Sequence, residues 1–130
     1  MGKYWRLLGD YDAETTTYSA CAGAAQTSPY TPDEDAKLIG LRVIVSADAA
    51  TTLTEAVQFR LTCTTFKPNS IEAMGNGGGL HTAPAFPPAP IDHVVDQPVK
   101  AGVPITVEAR NVTADTPVTN NVLLMGCFES

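Results

Sequence analysis

The strongest constraint on the fold is the alternation of side chains in residues 55–66, EAVQFRLTCTTF. Its apolar residues recur at every second position, at Val57, Phe59, Leu61 and Cys63, and the residues between them are mostly polar. A period of two is that of a β-strand with one face in a core and the other in water. In a helix the same apolar groups would be scattered around the axis. We therefore predict a central strand here.

Three further segments have strand patterns and are expected to assemble around this one: residues 38–47, 103–111 and 121–129. Residues 38–47 lie a short turn before the central strand, which predicts an antiparallel hairpin between the two. Shorter candidates occur at residues 3–8 and 91–96, with a weak one at 14–24. Together they predict an all-β fold, an antiparallel β-sandwich of jelly-roll type with about seven or eight strands and little helix.

The last predicted strand, residues 121–129, is apolar on both faces. One face carries Val122, Leu124, Gly126 and Phe128, and the other carries Leu123, Met125 and Cys127. A strand with one wet face does not have this composition, so its outer face must be covered. Either loops of the same chain or a second subunit provides that cover.

The length of 130 residues suits a single domain spanning residues 1–130. Residues 1–12 hold a short apolar segment with the only tryptophan, Trp5, and are interpreted either as a first strand or as an arm that reaches another subunit. Residues 67–90 are rich in glycine and proline and predict a long loop with an extended path. Phe86 lies among those prolines, so we expect this loop to lie flat on an apolar surface of its own sandwich or of a neighbouring copy.

The number and sign of the charged residues indicate which classes of partner the protein can bind. Charged residues make up 17% of the chain, below the usual quarter, which is typical either of surfaces covered by copies of the same protein or of a Thr-rich exterior. A net charge of −6 and dispersed basic residues disfavour nucleic-acid binding. No apolar stretch has the length of a membrane span or of a signal-peptide core, so we expect synthesis in the cytoplasm and no membrane partner.

Motifs for chemistry are weak throughout the chain. Three cysteines without CxxC spacing predict reduced thiols and neither a zinc site nor a disulfide framework. His81 and His93 form no HxH unit, and His93 and Asp92 are adjacent strand residues that point to opposite faces, which disfavours a shared metal ion. The acidic residues 33–35 lack the spacing of a calcium loop. We predict no metal and no cofactor.

Catalytic motifs are equally weak. The GNGGG run matches neither phosphate-binding motif, and no serine sits in a GxSxG elbow. Asn111 begins an Asn-Val-Thr acceptor pattern for N-glycosylation, which is interpreted as a strand-to-turn boundary. We therefore predict no catalytic residue and no enzymatic activity.

Residues 38–47 (LIGLRVIVSA), 55–66 and 99–129 (VKAGVPITVEARNVTADTPVTNNVLLMGCFE) together resemble the small single jelly-roll or β-sandwich proteins of virus capsids and phage heads. The resemblance covers roughly half of the chain and lies in its pattern, without a diagnostic motif. It implies a non-enzymatic capsid or decoration subunit, located in the virion, that forms symmetric homo-oligomers alone or with a larger shell protein.

The leading hypothesis is a structural protein that self-assembles by burying apolar strand faces and the 67–90 loop between copies, at roughly 25 cal/mol per Å² of apolar area. The residues expected at subunit contacts are Trp5, Phe86, Leu123 and Met125. The alternative is a ligand-binding β-sandwich module of carbohydrate type. Such modules present exposed aromatic platforms, and the polar-tipped candidates besides Trp5 are Tyr4, Tyr11, Tyr18 and Tyr30.

Overall fold

A computed structural model of the chain describes residues 2–11, 16–23, 25–45, 52–53, 57–75, 81–82, 91–111 and 122–130. These residues are all-β, and their strands pair only in the antiparallel sense. This confirms that the fold is all-β with antiparallel sheets, as predicted. In the part of the chain described, no helix is long and apolar enough to cross a membrane.

Eight of the strands form two four-stranded sheets. In chain order they are β1 (Lys3–Tyr11), β2 (Ser19–Ala20), β3 (Ala36–Val45), β4 (Val57–Thr62), β5 (Ser70–Gly75), β6 (Ile91–Val99), β7 (Thr106–Asn111) and β8 (Val122–Glu129). Sheet A has the strand order β1-β8-β3-β6, and sheet B has the order β2-β7-β4-β5. Two short ladders complete the described part, Ala22–Gly23 with Gln26–Thr27 and Thr52–Leu53 with His81–Thr82.

One hydrophobic core lies between the two sheets, as expected for a β-sandwich. Val57, Phe59 and Leu61 of β4 are at most 1% exposed, and the residues between them are not buried. They pack in the same cluster as Leu41 of β3 and Leu124 of β8. Each fully buried side chain of this size contributes about 1.5–3 kcal/mol relative to an exposed one. The prediction of a central strand is confirmed, because β4 lies between β7 and β5.

The predicted hairpin between residues 38–47 and 55–66 is wrong. β3 belongs to sheet A and β4 to sheet B, so the connection between them crosses from one sheet to the other. The physical reason is that both strands have a strongly apolar inner face. Across the sandwich Leu41 and Phe59 join one core, and each strand still finds hydrogen-bonding partners within its own sheet.

The prediction of residues 67–90 as loop is wrong for residues 70–75 and for His81–Thr82, which pairs with Thr52–Leu53. β5 pairs with β4 along its full length, from Val57 opposite Gly75 to Thr62 opposite Ser70. Ile71 and Ala73 of β5 face the core, an alternation that the glycines and prolines after it obscure in the sequence. Phe86 lies outside the described residues, so its predicted contact stays a prediction.

Residues 3–11 form an edge strand of their own sheet. β1 pairs with β8 from Lys3 opposite Glu129 to Tyr11 opposite Val122, with a shift of register between Leu7 and Gly9. At Gly9 a Cβ would lie 2.8 Å from Cγ1 of Val107 in sheet B, too close for any other residue. This glycine therefore allows the two sheets to approach closely beside β1.

Candidate functional site

The outer face of sheet A, turned away from the core, is the candidate functional site. In antiparallel strands, residues directly opposite each other share a face, so the register defines which side chains lie together. One cross-strand row runs Leu7, Met125, Arg42, Asp92, and the next runs Trp5, Cys127, Gly40, Val94. Leu123 and Ile44 lie opposite each other in a third row.

Apolar side chains on this face remain open to solvent. Trp5 is 40% exposed and Val94 is 95% exposed, and both are large hydrophobic residues. Leu123, Met125 and Ile44 are half-buried. We call the set Trp5, Leu7, Ile44, Val94, Leu123 and Met125 the apolar patch. Its two exposed members, Trp5 and Val94, lie on the two edge strands of sheet A, and the other members are half-buried. Exposed apolar side chains on one face favour an interaction site there.

Trp5 and Arg42 bridge the strand between them. The guanidinium carbon of Arg42 lies 4.6 Å from the centroid of the Trp5 ring. Trp5 is on β1 and Arg42 on β3, and β8 separates these strands, so their backbones are about 10 Å apart. The contact must therefore be made above β8, where it partly covers Met125 and Cys127. Cys127 is accordingly only 7% exposed although it points outward.

Asp92 holds the Arg42 side chain in place. Arg42 donates two hydrogen bonds to the carboxylate, Nε to Oδ1 at 2.7 Å and Nη2 to Oδ2 at 3.0 Å. This bidentate pair lowers the pKa of Asp92 from its usual value and raises the pKa of Arg42. The guanidinium is thereby fixed over the Trp5 ring rather than free to rotate in solvent.

The outer face of sheet B is polar, and its groups pair with one another. Arg60 donates to Oε1 of Glu108 at 2.9 Å. Arg110 donates to Oε1 of Gln58 at 2.7 Å. Tyr18 lies over both arginines, with ring centroid to guanidinium distances of 4.0 Å for Arg60 and 5.1 Å for Arg110. The Tyr18 ring and these side-chain pairs therefore cover the outer face of sheet B.

The hydroxyl of Tyr18 donates to Oε2 of Glu72 at 2.9 Å. Burial, and then the hydrogen bond to Glu72, raise the pKa of Tyr18. Tyr18 precedes β2 at one edge of sheet B and Glu72 lies on β5 at the other edge, so the phenol connects the two edges of the sheet.

The aromatic residues considered for a carbohydrate platform occupy different places. Tyr4 and Tyr30 stack on Phe128 with centroid distances of 5.6 and 5.9 Å. Burial, and then the hydrogen bond to Glu34, raise the pKa of Tyr4 to about 12. Tyr11 is buried, and its hydroxyl donates to Oδ1 of Asn111 at 2.8 Å. The structure therefore brings Tyr4 and Tyr30 together at Phe128, whereas Tyr11 and Tyr18 lie elsewhere.

Residues weighed for chemistry are held in structural roles. Asn111 is fully buried, so its acceptor pattern is not accessible to a glycosyltransferase in the folded protein. Cys21, Cys63 and Cys127 are buried, and none forms a disulfide. Oδ1 of Asp35 accepts the backbone N–H of Ala101 at 2.9 Å. Over the described ranges, no three His, Cys, Asp or Glu side chains are grouped to hold a metal ion.

Of the four predicted contact residues, Trp5, Leu123 and Met125 lie on the same outer face, and Phe86 is outside the described part. Sequence reasoning missed Val94 and the bridge from Arg42. The signal for Val94 was present as two adjacent valines in residues 91–96, but alternation alone did not say which of them faces outward. Comparison with protein-family models and with curated proteins finds no match to this chain. The candidate site is therefore defined by its geometry.

Proposed function

We propose that this chain is a non-enzymatic structural protein that self-assembles into a symmetric homo-oligomer as a virion capsid or decoration subunit. The observation that carries the proposal is the apolar patch on the outer face of sheet A. A solvated antiparallel sheet normally carries polar side chains on its outer face. Here Trp5, Leu123 and Met125 leave apolar area whose burial against another copy is favourable at roughly 25 cal/mol per Å².

The strand order supports a jelly-roll topology as part of this proposal. A jelly roll is an antiparallel ribbon of eight strands rolled into two sheets. In such a ribbon the first strand pairs with the last, the second with the seventh, the third with the sixth and the fourth with the fifth. The pairs β1–β8, β2–β7, β3–β6 and β4–β5 are all neighbours here. Capsid proteins are among the classes that use this fold.

Assembly through the face is favoured over pairing of copies along the edge strand β6. β6 is the exposed edge of sheet A opposite β1. It carries Asp92, Asp96 and Pro98 and a shift of register between Val94 and Gln97. Charges, proline and bulges are the devices that keep edge strands from pairing with another chain. Copies of the protein are therefore expected to meet through the patch beside this edge.

The alternative, a carbohydrate-type binding module, has one supporting observation. Trp5 presents an exposed indole beside the bidentate Arg42–Asp92 pair, which combines a stacking surface with polar groups. Sugar ligands need both kinds of contact. A monomer whose Trp5 emission changes on titration with oligosaccharides would favour this alternative over self-assembly.

Trp5 is the only tryptophan in the chain, so it reports directly on the proposed contact. The purified protein is studied over a wide concentration range by light scattering, tryptophan emission and acrylamide quenching. We expect the mass to rise with concentration while the emission moves to shorter wavelength and quenching weakens. A protein that stays monomeric throughout, or one that assembles with Trp5 equally open to quencher, would contradict the proposal.

A further inference from the structure

The edge strand β5 of sheet B has less protection against pairing than the other sheet edges. It pairs with β4 along its full length without a shift of register. Its six residues include no proline and no lysine, and Glu72 is the one charged residue among them. Proline, lysine, bulges and covering segments are the usual devices that keep an edge strand from pairing. In the part of the chain that the structure describes, no strand pairs with the outer side of β5.

The other three edges of the two sheets are covered, interrupted or short. β1 lies beside the short ladder of residues 22–27, where the backbone N–H of Ala25 donates to Oδ2 of Asp10 at 3.1 Å and Gly23 lies against the same carboxyl group. β6 carries aspartates, a proline and a register shift. β2 has only two residues. A further strand that adds to this sandwich is therefore best accommodated at β5.

The register shows which backbone groups of β5 point outward. The N–H of Cys63 donates to the C=O of Asn69 at 2.9 Å, so these residues form a hydrogen-bonded pair at the start of the β4–β5 ladder. In an antiparallel ladder such pairs recur at every second residue, and the residues between them direct N–H and C=O to the other side. Ile71 therefore bonds to β4, whereas Ser70 and Glu72 direct their backbone groups to the open edge.

Ile71 is incompletely buried on the core-facing side of β5. Ala73 on the same side is 1% exposed, whereas Ile71 is half-buried although it packs against the core cluster. A strand added beside β5 would place a second side chain next to Ile71 on this face. Such a strand would extend the apolar core across the boundary between two chains.

Building on the proposed function, we propose that β5 is a second contact between copies, in which the β5 strands of two subunits pair antiparallel about a two-fold axis at Ile71. A face that meets its own copy about a two-fold axis closes at a dimer, so a larger assembly needs a second and separate surface. Pairing at β5 supplies that surface, because it joins sheet B of one copy to sheet B of the next.

The side chains of β5 select the axis at Ile71 among the possible registers. An axis at Glu72 would set Glu72 of one copy directly against Glu72 of the other, and like charges in direct opposition are destabilising. An axis at Ala73 would set two side chains together that are already buried. The axis at Ile71 sets Ile71 against Ile71 and Ser70 of one copy opposite Glu72 of the other, which is a hydroxyl against a carboxylate.

Backbone hydrogen bonds supply the attraction of this contact. Ser70 of each copy lies opposite Glu72 of the other, and the two pairs exchange about four N–H to C=O hydrogen bonds. Addition of a strand to an exposed sheet edge is a general mode of recognition between chains. The ladder is short, so we expect the β5 contact to persist chiefly when the outer face of sheet A also holds the copies together.

The neighbouring edge of sheet A does not oppose this approach. β6 lies on the same side of the sandwich as β5, because the backbone N–H of Lys67 donates to Oε1 of Gln97 at 2.7 Å. The two acidic groups on β6 have cationic partners on β3: Asp92 is paired with Arg42, and Asp96 lies 3.4 Å from Nζ of Lys37. Two copies that meet at β5 therefore bring no uncompensated carboxylates of β6 together.

Removing one outward backbone donor tests the contact. Ser70→Pro deletes an N–H that points away from β4, so the chain keeps its own ladder while an added strand loses a donor and meets the proline ring. We expect this variant to stop at a dimer in light scattering, with Trp5 still protected from acrylamide by the outer face of sheet A. Ser70→Thr keeps the N–H, and this matched control should assemble like the wild-type protein.

Disulfide trapping tests the axis. Ile71→Cys sets two thiols in a directly opposed pair that is not hydrogen-bonded, with Cα atoms about 4.5 Å apart, which is within disulfide range. Glu72→Cys leaves its Cα atoms roughly 8 Å apart, beyond that range. On mild oxidation we expect at least about tenfold more linked dimer from Ile71→Cys than from Glu72→Cys. The three native cysteines are buried, and the wild-type protein gives the background.

The outcomes separate this contact from the proposed function. Circular dichroism with thermal unfolding checks that Ser70→Pro is folded, and the disulfide experiment decides independently if it is not. If Ser70→Pro assembles like the wild-type protein, or Glu72→Cys links as well as Ile71→Cys, the pairing at β5 is wrong and the proposed function stands. A wild-type protein that stops at a dimer with Trp5 protected also overturns the β5 contact alone. If the wild-type protein never associates, both fail.

Discussion

The outer faces of the two sheets contain similar parts and use them differently. Each has an arginine paired with a carboxylate and stacked on an aromatic ring: Arg42 with Asp92 and Trp5 on sheet A, and Arg60 with Glu108 and Tyr18 on sheet B. On sheet B these contacts cover the strands. On sheet A they cover only the middle of β8, and the apolar patch stays open. The outer face of a sheet in a β-sandwich can thus be covered by side chains of its own chain, or it can stay exposed until a partner covers it.

The strand register explains why the outer face of sheet B is covered by its own side chains. Arg60 lies directly opposite Glu108 and Gln58 directly opposite Arg110 on the same two strands, β4 and β7. Cross-strand pairs of this kind stabilise a sheet by about 0.2–1 kcal/mol each. Tyr18 then adds a ring over both arginines. On sheet A, Arg42 also lies directly opposite its carboxylate partner, Asp92 of β6, but its other neighbour, Met125 of β8, offers no polar partner to the guanidinium.

We expect the largest difference between the two faces in how much one added negative charge weakens assembly. Met125→Asp should weaken assembly at least about 100-fold, because docking would bury a carboxylate whose one cationic neighbour, Arg42, is already paired with Asp92. The monomer should keep its β signal in circular dichroism, since Met125 is only half-buried in the isolated subunit. Thr62→Asp, at an exposed position on the outer face of sheet B, is the matched control and should leave assembly unchanged. If Met125→Asp and Thr62→Asp weaken assembly equally, the outer face of sheet A is not the surface through which copies meet.

An intermediate effect is expected from removing each arginine. Arg60→Ala should lower the free energy of unfolding of the monomer by about 1 kcal/mol, because it removes the pair with Glu108 and the stacking under Tyr18. Arg42→Ala should destabilise the monomer less, since its contacts lie in solvent, and should leave Trp5 more accessible to acrylamide. Urea unfolding of both variants measures which substitution lowers the free energy of unfolding more. A greater decrease for Arg42→Ala than for Arg60→Ala would contradict the assignment of sheet B as the face covered by its own side chains.

The smallest expected effect is a difference in pH dependence. The folded pKa of Asp92 lies below its unfolded value, so the stability from this pair is present above the usual pKa of 3.8 and is lost as the pH falls. The folded pKa of Tyr18 lies above its usual 10.0, so its contribution is present below pH 10 and is lost as the pH rises further. Arg42→Ala should abolish the loss of stability that Asp92 causes at low pH. Glu72→Gln should reduce the loss that Tyr18 causes above pH 10.

Carboxyl and tyrosyl titrations by NMR, together with unfolding at several pH values, measure these two effects separately. An Asp92 pKa that does not rise in Arg42→Ala, or a Tyr18 pKa that does not fall in Glu72→Gln, would contradict the contacts described for that face.

Local patterns predicted the strands best where one face is buried completely. Val57, Phe59 and Leu61 alternate cleanly because every second residue of β4 enters the core. The two apolar sides of β8 were equally clear, and they led to two of the four predicted contact residues, Leu123 and Met125. β5 was missed because its core-facing residues, Ile71 and Ala73, are few and are followed by a glycine-rich run. Its pairing with β4 could be recognised only once the register was known.

By itself the sequence determined an all-β chain, a buried alternation around Phe59 and a last strand that needs cover on both sides. These are local properties, because alternation depends only on which side of an extended backbone a side chain occupies. The tertiary structure decided that β3 and β4 lie in opposite sheets, that Trp5 reaches Arg42 across β8, and that Trp5 and Val94 lie on the same face of sheet A. Such contacts join residues far apart in the chain, and they exist only when strand order and register bring those residues together.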